Sequence, residues 1–363
     1  MSILFLHDGG HVEGWLARAL GQRREISELR SDRAFHVGCR EIPSLPVILA
    51  SEPVFPSMIL HCTDRLLPKG LEQVPIPTVC VLVDVFVGLR HRLHWAMLFD
   101  YVFVSHPGFV RTFQAAGHPN VYCLPLAAPD SYLGTPGDDT IRHFDVGWVG
   151  RSEGPLFTAR ARILPRLADR FQMNDWRRWH SYDETSDVFR HSKIVVNVSR
   201  DDHPSDANMR VFEAMGAGAL LITRLPTELT EMGFREGEHF VGYRDEDEVE
   251  VLVNGYLGRR EERLRIAQRG MELVRGEHTY AHRAQRILDV IERDGPQLIS
   301  PARHWSAAQV SLAYLRYYCV GSSLRFSAEA MRSVFRASKR SSLKGLPLFA
   351  KACMRHVQGV LSQ

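Results

Sequence analysis

Short apolar runs of strand length recur along this chain with helical stretches between them, and after one interruption the pattern starts again. In the first part the runs are Ile3 to His7, Pro46 to Ala50, Met58 to Cys62, Thr78 to Val83, Tyr101 to Ser105 and Val121 to Leu124. Strands that are apolar on both faces belong to parallel sheets covered by helices, so the spacing predicts an α/β chain. The turn Asp8-Gly9-Gly10 leads into a helix over Val12 to Leu20. The stretch Ala127 to Thr140 concentrates Pro, Gly and Asp and reads as a crossing between domains. Beyond it, Val146 to Gly150, Lys193 to Ser199, Ala219 to Thr223 and His239 to Tyr243 repeat the strand pattern, and a long helical stretch runs from Glu246 to Val274. The expected organisation is one Rossmann-like domain over 1–135, a second over 136–297, and a helical extension over 298–363 without strands.

The chain's 363 residues exceed what one core usually holds, and 45% hydrophobic against 24% charged residues is the balance of a globular protein. The opening Met-Ser-Ile-Leu-Phe-Leu-His-Asp has no basic lead and reads as a first buried strand rather than a secretory signal. With no stretch of about 18 uncharged apolar residues, the expected location is cytoplasmic or peripheral to the inner face of a membrane. The cysteines Cys39, Cys62, Cys80, Cys123, Cys319 and Cys353 never form a C-x-x-C pair and read as buried thiols. Charge is uneven. The stretch 298–363 has ten Lys and Arg against one acid, Glu329, and so carries +9 in a chain whose net charge is +3; the rest is acidic. An acidic body without a reader motif argues against nucleic-acid binding.

The most informative segment runs from Asp206 to Thr223: a polar loop opens a helix, a Gly-Ala-Gly stop ends it after about two turns, and an apolar strand follows. A helix start offers unpaired N–H groups and partial positive charge, which suits a diphosphate. Arg210 adds a fork of donors, and Asn208 both donates and accepts in the same loop. Glu213 falls on the face of Arg210 and has a carboxylate able to accept both hydroxyls of a ribose. The competing reading is a capped helix with an exposed ion pair between Arg210 and Glu213, and the physics of the segment does not decide between the two.

The pattern Asn208-x-Arg210-x-Phe212-Glu213-Ala214, with Gly218-Ala-Leu-Leu-Ile-Thr223, resembles the signature of glycosyltransferases related to the spore-coat protein CgeB, a branch of the GT-B fold. The resemblance continues in Asp145 to Gly150, Ser192 to Asn197, Tyr243 to Asp245, Arg263 to Gly270 and His278-Thr-Tyr-x-x-Arg283. It implies two Rossmann-like domains with a cleft between them and transfer of a sugar from a nucleoside diphosphate sugar, the donor acting as co-substrate in place of a cofactor. The larger retaining families of that fold carry a second glutamate eight residues before the ribose-binding one; here that position is Ser205, leaving Asp206 or His203 as substitutes. A nucleotide-sugar epimerase of the same fold, or a sugar-nucleotide-binding protein without catalysis, is the alternative.

Further candidates lie at strand ends, where open sheets bind ligands. Gly150-Arg151 follows the first strand of the second domain, a place for a phosphate-facing turn. Tyr182 is placed to stack on the base or to be a plain surface tyrosine. Asp8, Asp84 and His106 close strands of the first domain and are the candidates for a catalytic base, with a simple tight turn as the other reading of Asp8-Gly-Gly. No Asp-x-Asp closes an apolar strand: Asp138-Asp139 and Asp201-Asp202 are in polar loops, so no metal is expected and helix dipole and arginine would neutralise the diphosphate. In the basic extension, Ser327 is placed to cap a helix whose Met331, Val334 and Phe335 share a face. The extension is expected to pack on the body or join two copies, with peripheral membrane contact as the other reading.

Overall fold

The computed structural model describes residues 2–30, 41–135, 139–293, 295–320 and 324–361; Cys39 and Asp138 fall outside them. The chain divides into two compact units, one of Met1–Leu124 with Ala284–Gln363 and one of Pro125–Arg283. The divide falls at Leu124 and Pro125, at the end of a strand and just before the Pro- and Gly-rich stretch.

The first unit is built on a parallel six-stranded sheet of β1 (Ser2–His7), β2 (Glu25–Arg30), β3 (Met58–Cys62), β4 (Thr78–Leu82), β5 (Tyr101–Val104) and β6 (Val121–Cys123), in the order β2-β1-β3-β4-β5-β6. The connections leaving β1 and β3 run to opposite sides, which makes the carboxyl ends of these two strands the switch point of the sheet. Helices α1 (His11–Gly21), α2 (Leu45–Ser51), α3 (Leu89–Trp95) and α4 (Pro107–Ala115) lie between the strands in sequence. Two elements differ from the sequence reading. The run Pro46 to Ala50 is helical, because Ser44 and Pro46 make a helix start and Leu45 and Leu49, four apart, reach the core while Val47 stays exposed. The edge strand β2 was not expected: Glu25-Ile-Ser-Glu-Leu-Arg30 lacks a clean apolar alternation, and pairing with β1 makes it a strand.

The second unit holds a parallel sheet of β7 (Phe144–Gly147), β8 (Ser192–Asn197), β9 (Leu220–Arg224) and β10 (Val241–Tyr243), in the order β10-β9-β8-β7. A further parallel bridge sets Met173 on the outer side of β7, so the chain steps outward from β7 before returning to β8. The switch point of this sheet therefore lies at the carboxyl ends of β7 and β8. Helices α5 (Thr158–Ala168), α6 (Tyr182–Arg190) and α7 (Met209–Gly216) connect the strands. The long helical stretch is broken into α8 (Glu246–Gly258) and α9 (Arg260–Glu277), and α10 (Tyr280–Arg293) leads back to the first unit. The motif around Arg283 is an anchor. Its guanidinium donates to the Pro125 and Leu126 carbonyls at 2.7 and 3.0 Å and to His278 Nδ1 at 2.9 Å. Arg263 in turn meets Asp139 at 2.6 Å, both largely buried.

The extension is helical: α11 (Ala307–Val320), α12 (Leu324–Ala337) and α13 (Lys339–Leu361). It belongs to the first unit's core, where Tyr314, Tyr317 and Tyr318 are buried among Leu67, Leu71 and Trp95. Each phenol is satisfied by backbone: Tyr314 donates to the Pro68 carbonyl at 2.9 Å, Tyr317 to Thr63 at 2.9 Å and Tyr318 to Leu67 at 2.7 Å. Trp305 is only half-buried. Ser327 does not cap a helix; it sits buried inside α12 and donates to the Tyr318 carbonyl at 2.9 Å, because α12 begins earlier, at Leu324. Among the described residues no helix is long and apolar enough to cross a membrane.

Candidate functional site

In the second unit the site grows from the switch point. Asn197 ends β8 and is fully buried; its Nδ2 donates to Thr223 Oγ1 at 3.0 Å, and its carbonyl accepts from the Tyr243 phenol at 3.2 Å. That fixes Asn197 Oδ1 outward, where it accepts from Asn208 Nδ2 at 3.1 Å and from Arg210 Nη1 at 2.7 Å. Asn208 caps α7, accepting from the Arg210 N–H at 3.1 Å. Arg210 also donates from Nε to the Val149 carbonyl at 2.9 Å, so one guanidinium spans the ends of β7 and β8. It lies 5.0 Å from the ring centroid of Trp148. Gly150 has φ 146°, and a Cβ there would stand 2.5 Å from Arg210 Nη2, so only glycine lets this arginine lie where it does.

Glu213 is one turn further along α7. It is 3% exposed, and its Oε1 is buried without a hydrogen-bond partner. Burial pushes its carboxyl up to about 8, against the pull of Arg210. Burial also lowers Arg210 to about 10, with Glu213 and Asp206 opposing. An orphaned buried oxygen of this kind costs about 1–3 kcal/mol, so it marks a place where an incoming donor group is expected.

The sequence reading missed Arg160. It lies on α5, is 6% exposed, and donates to the Val198 carbonyl at 2.8 Å and the Arg151 carbonyl at 2.7 Å. Its guanidinium stacks 4.3 Å from the Phe157 centroid and 5.6 Å from that of Trp148. Burial, and next the charge of Arg210, lowers it to about 9. Two buried guanidiniums thus flank one tryptophan and repel each other, an arrangement that a polyanion would relieve. Arg160 comes two residues after a polar loop in an ordinary helix, and nothing local marks it. Arg151 itself has an exposed side chain, its carbonyl being what the site holds.

The loop before α7 is held from one side. Glu228 is buried; it accepts from the Ala207 N–H at 3.1 Å and approaches His203 Nε2 at 3.8 Å, and its own N–H donates to the Ser205 carbonyl at 3.0 Å. Asp206 is buried, and its charge acts on both Arg160 and Arg210. A carboxyl therefore stands beside Ser205, supplied from beyond β9 where the spacing of the motif does not look. Tyr182 opens α6; its carbonyl accepts from the buried Tyr132 phenol at 2.7 Å, and Tyr132 is held un-ionised by burial and by nearby Glu213 and Tyr182.

The three candidates of the first unit follow the carboxyl ends of β1, β4 and β5, with β3 between β1 and β4. Asp8, after β1, accepts from Thr63 Oγ1 and from the Asp64 N–H at 3.1 Å, which ties together the two strand ends of the switch point. Asp84 is exposed, with φ 48°, a left-handed backbone that costs about 1–2 kcal/mol in a non-glycine residue. His106, after β5, is buried between Phe86 and Phe109. The structure adds Asp64 and Glu13. Desolvation by the surrounding protein raises both carboxyls, although the Asp64 side chain keeps an exposed edge; Arg92 opposes in Asp64 at 2.7 Å while Asp8 and Asp84 raise it, and Asp8 and Asp64 raise Glu13 further. Asp64 follows β3 just as Asp8 follows β1, so the rule that singled out strand ends would have found it.

Comparison with known proteins agrees with this architecture. Residues 148–289 match the sequence family described as Glycosyl transferase-like. A search of curated protein sequences finds no match. Among solved structures, HepE of Anabaena in complex with UDP superposes with a TM-score of 0.57 at 15% identity, over 81% of this chain and 100% of that one. HepE in complex with UDP-glucose gives 0.56 at 13%, over 81% and 100%. Sucrose-phosphate synthase from Thermosynechococcus elongatus gives 0.55 at 12%, over 81% and 98%. The chain thus has the GT-B fold, and the glycosyl transferase-like segment 148–289, which contains Arg160, Arg210 and Glu213, covers most of its second unit and the first six residues beyond it.

Proposed function

We propose that this chain transfers a hexosyl group from a nucleoside diphosphate sugar to an acceptor, as a member of the CgeB-like branch of GT-B enzymes. The observation that carries the reading is Glu213, a buried carboxyl with an unsatisfied oxygen beside a buried arginine at a helix start. In this reading the ribose hydroxyls donate to Glu213, and the diphosphate takes the N–H groups at the start of α7 with the guanidiniums of Arg210 and Arg160. Two guanidiniums and a helix dipole stabilise the leaving diphosphate without a divalent ion. His203, Asp206 and Glu228 surround Ser205 and take the place of its missing carboxylate toward the sugar. The first unit holds the acceptor, with Asp8, Asp84 and His106 as candidates for the base.

HepE has been solved with UDP and with UDP-glucose, which makes these the first probes. Titration calorimetry should show UDP binding that Glu213→Ala and Arg210→Ala each weaken by about tenfold to a hundredfold, the loss of one or two charge-assisted hydrogen bonds. Glu228→Gln should leave UDP affinity unchanged and weaken UDP-glucose. Equal UDP affinity in wild type and both α7 variants removes the site. Proton NMR of the donor incubated alone separates transfer from its rivals: an epimerase converts the donor without acceptor, and a pure binding protein leaves it intact in every mixture.

A further inference from the structure

Over residues 341–354, where its side chains are described, helix α13 is docked by one face. Ser342, Gly345, Leu348, Phe349 and Ala352 face the first unit, where a Cβ on Gly345 would meet Leu315 at 2.9 Å and Met331 at 3.0 Å. The opposite face is an apolar stripe at helical spacing: Leu343 is 70% exposed, Leu346 44% and Met354 57%, with Pro347 and Ala350 exposed between them. Lys344 and Lys351 flank this stripe, exposed, and neighbouring α12 adds exposed Phe335, Arg332 and Arg336. Neither outer face carries an acid. α13 contains none, and the one acid of α12, Glu329, turns inward to Lys69 and to the Ile42 N–H at 2.6 Å.

From this we infer that the outer face of α12 and α13 docks the protein on an anionic lipid surface, apolar side chains entering the interface and Lys and Arg meeting the headgroups. The charge complementarity selects lipid over a second copy. A two-fold contact sets the same patch against itself, and here that brings Lys344 and Lys351 against their own kind with no carboxylate to pair. The stretch 298–363 as a whole carries +9 in a chain of net charge +3, so the excess of positive charge belongs to the stretch that presents this face.

The test is co-sedimentation of the full chain with vesicles of phosphatidylcholine alone and of phosphatidylcholine mixed with phosphatidylglycerol. The wild type should partition to the mixed vesicles at low salt, and added salt should reduce this. Lys344→Gln and Lys351→Gln should each lower partitioning about fivefold. Leu343→Ser with Leu346→Ser should lower it at least about tenfold. All four positions are exposed, so thermal midpoints should not move; were the serine variant to unfold, the glutamine variants carry the same prediction. Equal sedimentation with both vesicle types, partitioning unchanged in the variants, or a solution dimer of the wild type that Leu343→Ser disperses would each overturn the proposal.

Discussion

Glu213 couples the candidate site to pH. Its carboxyl ordinarily ionises near 4.5 and is raised by burial to about 8, so the folded protein holds a proton that the unfolded chain releases earlier. Stability from this group is therefore fully present below 4.5, is lost as pH climbs toward 8, and is constant above. Ribose hydroxyls donate to the ionised form, so binding must expel the proton. Nucleotide affinity should rise by up to about tenfold per pH unit from 6 to 8 and then level off, with proton release visible as a dependence of calorimetric enthalpy on buffer. Glu213→Gln should flatten the profile. A slope that persists in that variant assigns the titration to another group. The sequence placed Glu213 on the face of Arg210, but not which oxygen is buried or what surrounds it. Its surroundings include Tyr132, about eighty residues earlier in the chain, which no local pattern brings to it.

At the level of elements, the turn after β7 and the start of α7 form one device. Gly150 permits a guanidinium to cross the two strand ends, and Asn197 holds that guanidinium from the other side. Gly150→Ala should cost about 1–3 kcal/mol from its φ of 146° and displace Arg210, lowering UDP affinity while the fold survives. Chemical denaturation and calorimetry together measure the two effects; an alanine variant with wild-type affinity would show that the arginine's position is immaterial. Such devices mark the limit of what the sequence shows. Runs such as Met58–Cys62, buried throughout, were legible because the apolar pattern is local. The segments 46–50 and Glu25–Arg30 were not. In the first, two leucines four apart outweigh the apolar run, and in the second a charged stretch becomes a strand only beside β1. Arg160 belongs with them, since its meaning comes from the carbonyls and rings that Val198, Arg151, Phe157 and Trp148 bring to it.

For the whole molecule, the division into units is uneven in a way that a fragment can test. The first unit is made from both ends of the chain, and the extension is part of its core; the second is the single stretch Pro125–Arg283 with its own buried cluster around Ile194, Val196 and Ile222. All the groups assigned here to the nucleotide lie in that stretch. The isolated segment 125–283 should therefore unfold cooperatively and bind UDP within about threefold of the full chain, a difference under 1 kcal/mol. The complementary cut should fail. A chain ending at 297 uncovers Leu67, Leu71 and Trp95, strips Tyr314, Tyr317 and Tyr318 from the backbone groups they satisfy, and should aggregate. Circular dichroism, sedimentation and calorimetry on the two fragments decide the matter. If 125–283 folds and does not bind UDP, the nucleotide site needs residues of the first unit, and the assignment to Arg160, Arg210 and Glu213 is incomplete.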